Sequence, residues 1–302
     1  MTSAGRAASD SQRGFVIVVV LWILLTLSSL AMIFTLYLSA SARAMALGDT
    51  ALQNEALVSA GVELTAYQLI LASDDARPAQ GSFHFRMDDA NVGVTFTSEA
   101  ARIDLNLASK EVLAAFLAGL GASKDAANED ADRIVGWRTR PAPGSTNEEA
   151  ARYAALGYTP RQSLFTHVNE LALVAGLPPA LVDRALPFVT IFNGSADIDA
   201  TIAAPEVVAA FAKRSSAGAD LFGAAIGLSN DPLAGADPSA PAKSLPKAKS
   251  PCYRVETTIG FANGRRATSE VVIALGDKRE PYRVLSWQDD VESAHLPLRR
   301  RS

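Results

Sequence analysis

One cysteine, Cys252, is all that 302 residues contain, which excludes an intrachain disulfide and any cysteine metal cluster and leaves the redox compartment open. Histidine is scarce as well: His84, His167 and His295 are widely separated, and none sits in a metal-ligand spacing such as H-E-x-x-H. No G-x-S-x-G elbow, Walker loop or dinucleotide fingerprint is present, so no catalytic residue is assigned and no enzyme is expected. Surplus positive charge is missing too. Lys and Arg number 28 against 32 Asp and Glu, a net charge of −4, whereas nucleic-acid affinity rests on a surplus of cations facing phosphates. What is plentiful is apolar sequence, 49% of the chain, enough for one large domain or two ordinary ones.

Charge is also absent between Arg13 and Arg43, where Phe15 to Ala42 reads FVIVVVLWILLTLSSLAMIFTLYLSASA. That is long enough to cross a bilayer as a helix, which takes about 20 apolar residues. A cleaved signal peptide, with Ser39, Ala40, Ser41 and Ala42 as its cut site, would use a shorter apolar region of ~7–15 residues. A plain signal anchor is the other reading. In either membrane reading Arg6 and Arg13 outweigh Asp10 and hold the N-terminus in the cytoplasm. From Ser41 to Leu71 the chain has no proline and is rich in Ala, Leu and Glu. One continuous helix is predicted from Phe15 to about Leu71, on the order of 85 Å at ~1.5 Å per residue. Its second half should pack on a sheet through Leu52, Ala56, Ala60, Leu64 and Leu71, spaced four or seven apart as on one helical face. Gly48 and Gly61 are expected to weaken it locally and allow bending.

After Arg77-Pro78 the period changes to two. Ser82 to Met87, a turn at Asp88 to Asn91, and Val92 to Thr97 read as a hairpin. Three more strands are read at Tyr253 to Phe261, Ala267 to Leu275 and Tyr282 to Trp287, the first two joined across Asn263-Gly264, a strong hairpin signal. The economical fold is α+β: a long transmembrane helix packed on a small antiparallel sheet, interrupted by a large all-α insertion. Inside the insertion, Ile103-Asp104 leading to Ala108-Ser109-Lys110-Glu111-Val112 returns as Ile198-Asp199 leading to Ala203-Ala204-Pro205-Glu206-Val207. Each copy reads as an extended start followed by a helix, with Ser109 as a cap in the first and Pro205 in the first turn of the second. Thr146 to Glu149 is a capping box, and Gly157 should end the helix it begins. Trp137 and Trp287 are read as core anchors.

Several motifs together resemble the GspK family of minor pseudopilins of type II secretion systems. The leader ends Gln12-Arg13-Gly14 and turns at once to Phe15-Val16-Ile17, similar to leaders cut by prepilin peptidase. The insertion opens Arg102-Ile103-Asp104-Leu105-Asn106-Leu107-Ala108-Ser109 and continues with Asp132-Arg133-Ile134-Val135-Gly136-Trp137-Arg138. Phe165 to Leu171, Leu186 to Thr190 and Pro281 to Trp287 follow in the family's order. The resemblance implies cleavage between Gly14 and Phe15 and N-methylation of Phe15. Most pilin-like subunits carry glutamate at the fifth mature position; Val19 stands there. A carboxylate in hydrocarbon needs a partner, so Val19 fits a subunit with no neighbour ahead of it, the tip position implied for this family.

The resemblance further implies a pilin-like fold in the bacterial inner membrane, single-pass, with the N-terminus cytoplasmic and the ectodomain periplasmic. Implied partners are minor pseudopilins of the GspI, GspJ and GspH types, prepilin peptidase and the inner membrane, with secreted substrates or the outer-membrane secretin as further candidates and no nucleic acid. No cofactor is expected. Calcium is bound by some pseudopilins, but Asp125, Glu129, Asp130 and Asp132 lack EF-hand order; they read as a solvated face, and the metal assignment stays unknown. The expected boundaries are a leader at 1–14, the transmembrane helix at 15–42 and a first part of the αβ domain at 43–103. The insertion follows at 104–214, then a Ser/Ala/Pro/Lys-rich linker at 215–250, returning strands at 251–290 and a disordered tail at 291–302. Two stretches, Leu117 to Gly121 with Ala131 to Ile134, and Leu173 to Pro179, also look like helix-hairpin-helix elements. A minor type IV pilin or a membrane-tethered DNA-uptake protein is therefore the alternative. Prolines in the second hairpin, which lack N–H donors, and the acidic residues beside the first count against DNA.

Overall fold

The computed structural model describes residues 10–142, 144, 148–212, 248–277 and 279–289, with backbone alone at 10–14 and 40–49. Helix α1 runs unbroken over 62 residues, Asp10–Leu71, so helix begins five residues before the expected start at Phe15. The boundary between two compact units, Met1–Leu57 and Val58–Ser302, falls inside it.

Within the second unit, α1 buries Val58, Gly61, Val62, Thr65, Ala66 and Leu69. This corrects the expected stripe: Leu64 and Leu71 are 41% and 69% exposed. Both rows are spaced as one helical face, and the buried row contains a glycine and a threonine that make it look the weaker. Gly61 has a packing role. A Cβ placed there would lie 3.1 Å from Val94 Cγ2 and 3.4 Å from Thr257 Oγ1, so the missing side chain lets the helix backbone approach the sheet. Thr65 hides its hydroxyl by donating to Gly61 O at 2.8 Å. Gly61→Leu is expected to cost about 1–3 kcal/mol through overpacking, read as a lowered denaturant midpoint with unchanged slope.

The sheet has the order β1-β2-β5-β6-β7, and every neighbouring pair is antiparallel. Strands β1 (Gln80–Met87) and β2 (Ala90–Ser98) meet across Asp88 and Asp89, with Met87 opposite Ala90 and Asp88 at φ 52°. Alternation decides which face is buried. In β2 the row Ala90, Val92, Val94 and Phe96 is buried, while in β1 His84 is exposed between half-buried Phe83 and Phe85, as its spacing predicts. Strands β5 (Cys252–Phe261) and β6 (Arg266–Leu275) join through Gly264 at φ 82°, whose N–H donates to Phe261 O at 3.0 Å. Edge strand β7 is Tyr282–Asp289. Trp287 lies on this edge, half-buried, with Nε1 donating to Asp289 Oδ1 at 2.9 Å; it is no core anchor, because an edge strand is covered on one side only.

Between β2 and β5 lies the insertion, with its own core around Leu113, Phe116, Leu117, Ile134, Trp137 and Tyr153. It contains β3 (Ile103–Asp104), α2 (Lys110–Gly119), α3 (Lys124–Arg138), α4 (Glu148–Ala154), α5 (Pro179–Ala185), β4 (Val189–Thr190) and a helical segment at 205–212. It is therefore not all-α: β3 and β4 form a parallel pair, Ile103 opposite Val189 and Asp104 opposite Thr190. Ser109 and Ser123 cap α2 and α3 by accepting from Val112 N and Ala126 N. Gly157, at φ 81°, follows α4 and donates to Ala154 O at 3.2 Å.

The sequence repeat is a structural repeat. Asp104 Oδ1 accepts from Asn106 N at 2.8 Å, and its carbonyl accepts from Leu107 N and Ala108 N. Asp199 Oδ1 likewise accepts from Thr201 N at 3.0 Å, and its carbonyl from Ile202 N and Ala203 N. Each aspartate folds the chain into a side-chain-closed turn that aims the next helix, and Pro205 opens the second of these helices. The expected box at Thr146 begins outside the described residues, and 215–247 of the expected linker and the whole expected tail at 291–302 lie outside them too.

Candidate functional site

Two regions hold the features that bear on function: the apolar half of α1, and the insertion with its attachment to the sheet. From Phe15 to Ser39 the side chains are exposed, and this 25-residue segment is long and apolar enough to cross a membrane. Three of its hydroxyls are spent on the helix itself: Thr26 donates to Ile23 O, Thr35 to Ala31 O and Ser39 to Thr35 O, each at 2.8 Å. Self-satisfied polar groups are what hydrocarbon surroundings demand. Gly14 and Phe15 both lie within the helical backbone of α1, Phe15 is 71% exposed, and Val19 at 39% adds no charge to the segment.

At the foot of the insertion, a 3-10 turn at Glu99–Ala101 buries the Glu99 carboxylate completely. Arg254 Nε on β5 donates to Glu99 Oε1 at 2.8 Å, Arg254 Nη2 to Oε2 at 3.3 Å, and Arg102 Nη1 stands 3.5 Å from Oε1. Thr190 of β4 donates its hydroxyl to Oε2. Arg254 also pairs with Glu270 of β6, and Arg102 Nε donates to Pro187 O at 3.2 Å. Burial pushes the Glu99 carboxyl upward, but the two guanidinium charges with the hydrogen bonds from Arg254 and Thr190 outweigh it and hold the group below its ordinary value. The pairing of Glu99 with Arg254 was invisible in the sequence, where the two stand far apart; the signal available was Arg102 at the head of a recognised motif.

Higher in the insertion, Trp137 packs against Tyr153 and Phe165 with ring centroids 5.4 and 6.4 Å apart, and its Nε1 donates to Glu170 Oε2 at 3.3 Å. The tryptophan is the core anchor that its sequence suggested. The acidic group near α3 is not wholly solvated. Asp130 is buried beside Arg133 at 3.6 Å, with burial raising its carboxyl, and Asp132 pairs with Lys110 at 2.7 Å. Among the described residues no three His, Cys, Asp or Glu side chains are grouped to hold a metal ion. His167 Nδ1 accepts from Asn169 N at the start of a 3-10 helix, a structural task. Cys252 is buried, and burial pushes its thiol up to about 11, far from a reactive thiolate. His295 lies outside the described residues.

The two hairpin stretches differ from one another. Helices α2 and α3 are joined by a short turn with Gly121 at φ 102°, whereas the second stretch links a 3-10 helix, Val168–Leu173, to α5. Their donors are already engaged: Leu120 N gives to Phe116 O, Gly121 N to Ala118 O, Ala122 N to Leu117 O, Ala175 N to Tyr153 Oη and Leu177 N to Val174 O. Such N–H groups are not free to grip phosphates.

Residues 95–194 match the family described as type II secretion system, protein K. No curated protein matches the chain in sequence. In fold, the chain is similar to a chain of the GspK-GspI-GspJ complex from the type 2 secretion system of enterotoxigenic Escherichia coli. The TM-score is 0.54 at 17% identity, over 78% of this chain and 96% of that one. The resemblance read from the motifs thus finds support in both: the matched residues take in the end of β2 and much of the insertion, and the apolar helix, antiparallel sheet and helical region fit a GspK-like fold.

Proposed function

We propose that this chain is a non-catalytic minor pseudopilin of a type II secretion system, one that initiates and caps the tip of the periplasmic pseudopilus together with subunits of the GspI, GspJ and GspH types. The observation that carries the reading is the protein K match over residues 95–194, in a chain that also has a five-stranded sheet and an N-terminal helix long and apolar enough to cross a membrane. Prepilin peptidase removes Met1 to Gly14, Phe15 becomes the methylated first residue, and the anchor inserts in the inner membrane with the rest of the chain periplasmic. The insertion widens the head and bars further subunits from adding above it. Val19 supports this placement, since a tip subunit needs no carboxylate to pair with a neighbour ahead.

The mature protein from cells with peptidase is expected to begin at Phe15, and from cells without it to keep Met1 to Gly14. N-terminal sequencing and intact mass decide this; a start near Arg43, or no dependence on the peptidase, would overturn the assignment. Loss of secretion in cells lacking the chain is the matching expectation at the level of function.

The outward row of α1 supports partner packing. Leu64, Tyr67 and Leu71 are 41%, 63% and 69% exposed and share one face at spacings of three and four. Leu64→Asp with Leu71→Asp is expected to abolish co-purification with GspI-type and GspJ-type subunits. Unfolding midpoints should change little, because neither side chain is in the core; intact co-purification would remove this face from the interface.

A further inference from the structure

We propose that Glu99 is a mechanical joint that makes the insertion and the sheet one cooperative body. The insertion leaves the sheet after β2 and the chain returns at β5, so it could in principle swing on its two connections. Among the described residues, backbone bonds at the junction include Asp199 N donating to Ala100 O at 2.8 Å and Ala248 N to Ile198 O at 3.0 Å. Glu99 adds a side-chain clasp between the two bodies. One carboxylate is held from the sheet by Arg254 and from the insertion by Thr190, with Arg102 closing the same group. Arg254 is braced in turn by Glu270 on the next strand.

Burial makes the clasp all-or-none. Glu99 is 0% and Arg102 9% exposed, and a swing of the insertion that drew Thr190 or Arg102 away would leave a carboxylate oxygen or a guanidinium short of its partner in a water-excluded site. Partial opening is therefore disfavoured, and the insertion moves with the sheet. For a subunit pushed from its membrane end, this joint would pass force into the insertion without a hinge. The joint itself holds whether or not the pseudopilin reading stands.

The test uses the full chain in detergent micelles, following hydrogen exchange by peptide against urea. In the wild type, peptides from α2 and α3 should lose protection at the same urea concentration as peptides from β5 and β6. In Glu99→Gln the α2 and α3 peptides should lose it at a concentration lower by about 1 M. Phe116→Leu, a core change inside the insertion, serves as control and should shift both sets together. A Glu99→Gln protein whose two sets still move together, or a wild type in which they already part, would overturn the proposal. Should Glu99→Gln not accumulate as folded protein, Thr190→Val removes the hydroxyl donor alone and must open a smaller gap of the same sense; no gap there would equally overturn it.

Discussion

Trp137→Ala is expected to lower stability by about 3–5 kcal/mol, measured as the drop in unfolding free energy by denaturant titration of the full chain. The indole is 4% exposed and touches Tyr153 and Phe165, so truncation opens a cavity at the meeting point of α3, α4 and the loop before the 3-10 helix. It also strips Glu170 of one donor, although Thr166 and Arg161 still hold that carboxylate. A domain has only about 5–15 kcal/mol in total, so this one change would take much of the margin. Trp137→Phe, which keeps most of the volume and loses the N–H, should cost far less. Equal losses in the two variants would show that the hydrogen bond, not the packing, is what matters.

Arg254→Met is the second large change, at about 3–5 kcal/mol near neutral pH, because it removes the two-handed partner of a buried carboxylate and leaves Glu99 only Arg102 at 3.5 Å and the Thr190 hydroxyl. The pH dependence distinguishes this cause from lost packing. In the wild type the Glu99 carboxyl is held below its ordinary value. Its contribution is therefore present above the unfolded carboxylate pKa of about 4.3 and lost as pH falls through the lower folded value. Without Arg254 the burial effect, which raises the group, gains the upper hand, and the folded state binds a proton that the unfolded state has released. The variant should accordingly regain part of its stability as pH falls from about 7 toward 5, a range over which the wild-type Glu99 contribution stays flat. Unfolding curves at several pH values read this directly, and parallel pH profiles for the two proteins would exclude the electrostatic account.

Much of the fold was legible because its signals are local. The alternation of Phe83, His84 and Phe85, the Asn263-Gly264 turn and the twin Ile-Asp starts at 103 and 198 each specify backbone geometry within a few residues, and each is found where expected. The buried face of α1 was not legible, because two rows of the helix carry apolar side chains. Only the sheet decides between them: the close approach at Gly61 selects the row with the glycine, and the other row remains exposed. The parallel pair β3 and β4 escaped notice since two residues carry no period. Of the candidate site, the apolar helix was legible because it is one continuous segment. The Glu99 cluster, assembled from β4, β5, β6 and a 3-10 turn, has no contiguous signature at all.

The pairing register carries a consequence for how such a chain could arise. Ser98, the last residue before the insertion, sits directly opposite Tyr253, the second residue of the strand that follows it. The ends of the interrupted sheet are thus already side by side, at the separation a tight hairpin would need. A short turn in place of the 154 or so intervening positions would restore a plain four-connection meander, as follows from two-residue loops joining paired strands. A gene could therefore acquire or shed the whole helical cassette in a single recombination without disturbing any strand register, and a grafted head lacking it is a natural starting scaffold for designed fusions.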